Sequence, residues 1–168
     1  LSEYTSTEED ERARLAREEQ VSGDELDARL DVWRERIAHY SEQRLHPQLP
    51  RKRLFCFYPM SKRREQGANW YELPFDERKR LMAGHARVGR QYSGRILQLI
   101  TGSTGIDDWE WGVTLLADDP VALKDIVSEM RFDPVSSRYA DFGPFYTGLL
   151  LEPADALARA GLEDSGGR

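Results

Sequence analysis

The stretch that sets the fold is Leu54-Phe55-Cys56-Phe57-Tyr58-Pro59. Five apolar residues in a row, followed by a proline, predict a short strand that Pro59 stops. Side chains alternate between the two faces of a strand, so Leu54, Cys56 and Tyr58 share one face. Phe55 and Phe57 lie on the opposite face.

Further elements follow this strand along the chain. They are a helix from Pro74 to about residue 92, strands over 96–100 and 109–116 joined by a turn at 102–105, a helix from 120 to about 131, and a strand over 145–151. This order predicts an α+β fold, a ferredoxin-like βαββαβ unit with an antiparallel sheet and both helices on one face. The other face needs a cover, which a second copy, a partner chain or a large ligand would supply.

The residues before this unit have a different character. Residues 7–20 are charged almost throughout and predict a solvated helix, opened by Thr7 with Asp10 three positions later. A second helix is expected over 24–41, and the prolines of the next segment enforce an extended link. We interpret residues 1–41 as an acidic helical arm or insertion without chemistry, 42–152 as the ferredoxin-like domain, and 153–168 as a short helix and tail.

Charge divides the chain in the same way. The formal net charge of -6 arises within residues 1–36, which hold twelve acids and six arginines, so the remainder is balanced. Residues 43–64 contain seven Lys and Arg residues and no acid, which favours an anionic ligand. The acidic total argues against general nucleic-acid binding, and no apolar run is long enough to span a membrane. Cys56 is the only cysteine, which excludes a disulfide framework and fits a reducing compartment such as the cytoplasm.

His85 is the first candidate functional residue. It lies within the helix predicted over 74–92 and shares a face with Leu81, Val88 and Tyr92. One interpretation is a half-buried histidine whose ring is satisfied by a backbone carbonyl. The other is an axial ligand of haem iron, since a single imidazole from an apolar helix face is a common haem ligand.

Gln98 and a group of cations are further candidates. Gln98 shares a strand face with Ile96 and Ile100, so its amide either makes a structural hydrogen bond or stands over a bound cofactor. Residues 62–64 read Lys-Arg-Arg and could clamp carboxylates or phosphates, or they could form a solvated loop. Residues 130–138, which include Arg131 and Ser136, could add donors to the same anionic site.

Several separated blocks together resemble a known family. The blocks are Cys56-Phe57-Tyr58-Pro59-Met60-Ser61-Lys62-Arg63-Arg64, Asn69-Trp70-Tyr71 with Leu73-Pro74, His85 with Gly89-Arg90, Asp107-Asp108-Trp109-Glu110-Trp111-Gly112-Val113, Glu129-Met130-Arg131-Phe132-Asp133 and Phe142-Gly143-Pro144-Phe145. They resemble the coproheme decarboxylases, the haem-biosynthesis branch of the chlorite dismutase-like superfamily, which has the dimeric α+β barrel fold. The resemblance covers roughly the last 125 residues, and the blocks are specific in combination.

The resemblance implies roles for seven residues. It places the proximal iron ligand at His85, the catalytic tyrosine at Tyr58 and the distal glutamine at Gln98. Lys62 is implied to place propionates or to manage protons during catalysis. The residues implied to hold the propionates are Arg44, Lys62, Arg131 and Ser136.

The implied reaction converts coproheme, which is substrate and cofactor together, into haem b. Hydrogen peroxide oxidises the iron, the oxidising equivalent passes to Tyr58, and the tyrosyl radical takes a hydrogen from the β-carbon of a propionate. Carbon dioxide leaves as a vinyl group forms, and two rounds through a three-propionate intermediate complete the reaction. The porphyrin carries the chemistry while the protein orients it.

The resemblance also implies partners and alternatives. The family forms homopentamers from two tandem ferredoxin-like halves, and a transient contact with coproporphyrin ferrochelatase is expected. This chain matches the second half only, so residues 1–4 are interpreted as the tail of a first half. The alternatives are a haem peroxidase or chlorite dismutase-like enzyme, against which Gln98 argues because chlorite-degrading relatives carry arginine there, and a non-catalytic haem-binding subunit.

Overall fold

The computed structural model describes residues 7–162 and divides the chain into two compact units, residues 1–50 and 51–168. The predicted remnant at residues 1–4 and the end of the predicted tail, 163–168, lie outside the described residues. Among residues 7–162, no helix is long and apolar enough to cross a membrane.

The first unit is a pair of helices, α1 (Glu8–Glu18) and α2 (Asp24–Leu45). Thr7 and Asp10 form the predicted capping box, in which each side chain accepts a hydrogen bond from the backbone of the other. Leu15 of α1 and Leu30 of α2 are buried, although both helices carry many charged residues. Helix α2 continues to Leu45, beyond its predicted end at residue 41, because no proline occurs before residue 47.

The second unit is built around one sheet. Its elements are β1 (Leu54–Lys62), β2 (Arg64–Glu65), β3 (Ala68–Asn69), α3 (Phe75–Arg90), β4 (Ile96–Gly102), β5 (Trp111–Ala117), α4 (Pro120–Met130), α5 (Pro134–Ser137), β6 (Ala140–Phe142), β7 (Tyr146–Leu149) and α6 (Pro153–Arg159). The order is β4-β5-β1, and β7 and then β6 pair with successive segments of the far edge of β1; all of these pairs are antiparallel. The predicted ferredoxin-like βαββαβ unit is confirmed.

The prediction that β1 stops at Pro59 is wrong. β1 continues to Lys62, and its outer neighbour changes from β7, which pairs as far as Phe57, to β6, which begins to pair at Met60. The carbonyl of Pro59 accepts a hydrogen bond from Gly143 N at 2.9 Å, so the missing N–H of Pro59 faces the gap between these two partners. A proline at this gap removes no hydrogen bond of the ladder, and the strand passes through it.

The two faces of the sheet differ, as the sequence predicts. Leu54 and Cys56 of β1 and Leu115 of β5 are buried in a core that includes Leu123 and Ile126 of α4. On the opposite face Phe55 is 40% exposed and Tyr146 58% exposed, with Phe57 partly exposed between them. This apolar face is therefore open, while the helix-covered face carries the candidate site.

Candidate functional site

Tyr58 projects from β1 into an aromatic group on the helix-covered side of the sheet. Its ring stacks on Phe145 with 4.3 Å between the ring centres, and it meets the edge of Phe142 at 5.9 Å. Burial is the main cause that raises the pKa of Tyr58 to about 12. The hydroxyl therefore keeps its proton at physiological pH, in a ring held on two sides.

Lys62 lies four residues beyond Tyr58 on the same face of β1 and is buried. Its ammonium lies 4.5 Å from the centre of the Trp70 ring, a cation–π contact. Its backbone N–H donates to the buried carboxylate of Glu110 at 2.7 Å, and the hydroxyl of Tyr71 donates to the other oxygen of Glu110 at 2.8 Å. Burial lowers the pKa of Lys62 to about 8, against the attraction of Asp133 and Glu110.

His85 lies on α3 with its ring fixed by one carboxylate. The distance from His85 Nδ1 to Asp133 Oδ2 is 2.7 Å, and the His85 side chain is 23% exposed. A proton on Nδ1 that is donated to Asp133 leaves the Nε2 lone pair available to a metal ion. In the described part of the chain, no group of three His, Cys, Asp or Glu residues could hold a metal on its own.

Asp133 connects His85 to an open cavity of about 580 Å³. The carboxylate of Asp133 also accepts a hydrogen bond from the backbone N–H of Ser136 at 3.3 Å, and Ser136 lines the cavity. Arg131 lines it too, with its guanidinium 5.3 Å from the centre of the Phe142 ring. Phe142 and Phe145 form another wall of the cavity, and the ring of Tyr58 packs against both of them.

Gln98 stands on the same face of the sheet but two strands away. It pairs with Leu115 of β5, which in turn pairs with Cys56 of β1, so it lies roughly 10 Å from β1 across the sheet. Its amide makes no hydrogen bond within residues 7–162. The side chains on this face of β4 become more exposed along the strand. Ile96 packs against the core, whereas Ile100 is 40% exposed.

The structure thus brings together five of the seven residues singled out in the sequence and places a sixth on the same side of the sheet. The five are Tyr58, Lys62, His85, Arg131 and Ser136. Arg44 belongs to the separate unit, at the end of α2, where its guanidinium lies 5.8 Å from the ring centre of Tyr40. Its role toward a ligand stays a prediction.

The residues present fit an iron porphyrin with carboxylate side chains. His85 offers one imidazole nitrogen whose ring is already oriented, and Arg131 has no ion pair among the described residues. The uncovered end of β4 gives an apolar surface around the Gln98 amide for the flat ring. Arg131 and Ser136 line one cavity and can donate hydrogen bonds to the carboxylates of such a porphyrin.

Lys62 supplies a test of burial that needs no ligand. Between about pH 8 and 10.5 the folded chain has released the Lys62 proton while the unfolded chain retains it, so stability rises with pH across this window. Relative to Lys62→Met, wild type should gain on the order of 2–3 kcal/mol in the free energy of unfolding over this range. Denaturant melts of both proteins at several pH values measure it. Relative to Lys124→Met, at an exposed position of α4, wild type should show no such gain, because both proteins retain Lys62. Parallel curves for wild type and Lys62→Met would contradict the burial of the ammonium.

Comparison with known proteins decides the family. The sequence profile described as chlorite dismutase matches residues 2–151. The chain belongs to the chlorite dismutase family. The match includes the acidic helices of the first unit, so the segment we interpreted as an arm without chemistry lies within the region that the family profile recognises.

Individual relatives of the family agree with this assignment. A coproheme decarboxylase of Staphylococcus saprophyticus is 59% identical over 108 residues, which are 64% of this chain and 43% of that protein. A protein of Natronomonas pharaonis whose name proposes haem binding is 54% identical over 125 residues, 74% of this chain and 21% of that protein.

Solved structures of the family show the same fold. A haem-binding protein from Thermus thermophilus is 51% identical with a TM-score of 0.67, over 73% of this chain and 49% of that one. A mutant chlorite dismutase from Candidatus Nitrospira defluvii is 20% identical with a TM-score of 0.59, over 73% of this chain and 50% of that one. At this identity the likeness shows the fold alone. The chain therefore spans about half the length of each of these two solved proteins.

One residue of the site, Asp133, was not assigned a role from the sequence. Asp133 precedes Pro134 and accepts from the N–H of Ser136, which is the ordinary signature of a helix N-cap, so nothing in the sequence indicates its second contact with His85. Arg63 belongs to the run of three cations that we interpreted from the sequence as a carboxylate or phosphate clamp or as a solvated loop, and the structure shows that Arg63 lines the cavity.

Proposed function

We propose that the chain carries the catalytic site of a coproheme decarboxylase, which uses hydrogen peroxide to convert two propionates of coproheme to vinyl groups and yields haem b. The observation that carries the proposal is the linked set of His85, Asp133 and Ser136, which joins an available imidazole nitrogen to a cationic cavity beside Tyr58. The 59% identity to a coproheme decarboxylase over 64% of this chain supports the choice of substrate.

Binding and orientation fall to residues on rigid elements. His85 would hold the iron through Nε2, because the carboxylate of Asp133 holds the opposite nitrogen. Arg131 and Ser136 would hold propionates in the cavity, with Lys62 as a further cation. Gln98 would present its amide to the bound porphyrin from β4. The bound iron porphyrin supplies the oxidising power of peroxide.

Tyr58 would perform the hydrogen transfer. Oxidation of Tyr58 removes one electron and the hydroxyl proton that its buried site retains. The resulting phenoxyl radical takes a hydrogen atom from the β-carbon of a propionate held beside the ring and becomes a phenol again. Loss of one further electron and of carbon dioxide from that propionate leaves the vinyl group. Formation of each vinyl group releases two electrons and one proton, and one molecule of hydrogen peroxide accepts the two electrons and is reduced to water.

A titration tests the proposal against its alternatives. Ferric coproheme is added to the purified chain until the Soret band saturates, and hydrogen peroxide is then added in stoichiometric portions. We expect the spectrum of haem b to develop through one intermediate. In parallel samples, oxidation of an added reducing dye by peroxide with the coproheme unchanged would indicate a peroxidase, and oxygen release on addition of chlorite would indicate a chlorite dismutase. A stable complex with none of these activities would indicate a non-catalytic haem-binding subunit. Any of these three results would contradict the proposal.

Three expectations about the whole protein remain predictions. They are assembly into a homopentamer, a transient contact with coproporphyrin ferrochelatase, and action in the cytoplasm. The contribution of Arg44 to propionate binding belongs with them.

A further inference from the structure

The cavity beside Tyr58 contains a second arginine that already has an acidic partner. Its charged lining residues are Arg63, Arg131 and Asp141, and Ser136 and Ser137 add neutral donors. The distance from Arg63 Nε to Asp141 Oδ1 is 2.8 Å. Arg131 has no such partner among the described residues. Before a ligand binds, Arg63 is therefore paired with a carboxylate, whereas Arg131 has no ion-pair partner among the described residues.

The backbone holds Arg63 and Asp141 in place from two neighbouring strands. Arg63 follows β1 directly, and its N–H donates to the carbonyl of Tyr139 at 3.0 Å. Asp141 lies on β6 and pairs with Ser61 of β1. The pair is thus built at the edge of the sheet, where both residues line the cavity and both side chains are partly exposed.

The contact between them leaves part of Arg63 unused. One nitrogen of the guanidinium and one oxygen of the carboxylate make the bond, and the two terminal nitrogens of Arg63 have no partner among residues 7–162. The side chains are 34% and 47% exposed, so solvent screens their attraction and little is lost when the bond is exchanged. A ligand carboxylate can present both oxygens to the fork of an arginine, a stronger arrangement than a single bond.

We propose that Arg63 is an additional carboxylate-binding residue of the cavity and that Asp141 competes with the ligand for it. This inference rests on the proposed function, because the carboxylate is a propionate of the bound porphyrin. On binding, Arg63 exchanges Asp141 for the propionate. Asp141 therefore weakens binding of the porphyrin, and it recovers Arg63 when the porphyrin leaves.

Dissociation constants for ferric coproheme test the competition, measured through quenching of tryptophan fluorescence without peroxide. Asp141→Asn should tighten binding by about fivefold, and Arg63→Gln should weaken it by at least as much. The double variant should bind as Arg63→Gln does, because Asp141 acts only through Arg63. Glu65→Gln, an exposed acid on β2, controls for net charge, and thermal melts verify that each variant is folded.

The outcomes separate this inference from the proposed function. If wild type binds coproheme and Asp141→Asn does not tighten it, or tightens it equally when Arg63 is replaced, the competition is contradicted while the proposed function stands. If wild type does not bind ferric coproheme, the proposed function fails and the competition fails with it.

Discussion

Replacing Tyr58 by phenylalanine should abolish decarboxylation while coproheme still binds. The stacking on Phe145 and the edge contact with Phe142 involve the ring alone, so the substitution preserves the packing of the site. It removes only the O–H that the buried site keeps protonated. We expect the rate of product formation to fall by about a thousandfold or more, the scale of loss when an essential catalytic group is removed.

The measurement is the rate of haem b formation from bound ferric coproheme, with the dissociation constant measured in parallel. Tyr146→Phe is the matched control, because this tyrosine lies on the opposite face of the sheet and is 58% exposed. Its rate should equal that of wild type. A Tyr58→Phe variant that retains turnover would show that the hydrogen transfer uses another group.

Replacing His85 by alanine should remove the iron ligand. The imidazole is the one side chain of the site with a nitrogen lone pair directed by a fixed partner, Asp133. Loss of a ligand should weaken binding of ferric coproheme by about a hundredfold and shift the Soret band, since even the loss of an outer partner costs about tenfold to a hundredfold. Absorbance titration measures both effects.

Added imidazole separates ligation from folding in this variant. The truncated side chain leaves a space of the size of the ring, so imidazole should restore the wild-type Soret position in His85→Ala. His46→Ala, at an exposed histidine of the first unit, should bind coproheme as wild type does. An unaltered Soret band in His85→Ala without imidazole would exclude His85 as the ligand.

The order of the elements could be predicted because each depends on local sequence. Alternation along 96–100 and the Asp119-Pro120 cap indicate a strand and a helix without knowledge of their neighbours. The continuation of β1 through Pro59 depends instead on two partners, β6 and β7, that meet far away in the sequence. The short β6 and α5 were not predicted for a related reason, since three or four residues carry too little periodicity.

The candidate site shows the same division. His85 and Gln98 could be singled out because a polar group on an apolar face is visible in the periodicity. Asp133 could not, since its sequence context is fully explained by a helix cap, and the hydrogen bond to His85 joins positions 48 residues apart. Pairing of Arg63 with Asp141, separated by 78 residues, likewise appears only when β1 and β6 are side by side.

The most direct test of the proposed function is the mass of the porphyrin recovered after ferric coproheme and stoichiometric hydrogen peroxide are added to the chain. If the residues around Tyr58 and His85 act as proposed, the porphyrin loses carbon dioxide and two hydrogen atoms in each of two successive steps, and a three-propionate intermediate precedes haem b. Recovery of coproheme with its mass unchanged, at peroxide levels that leave the porphyrin intact, would contradict it.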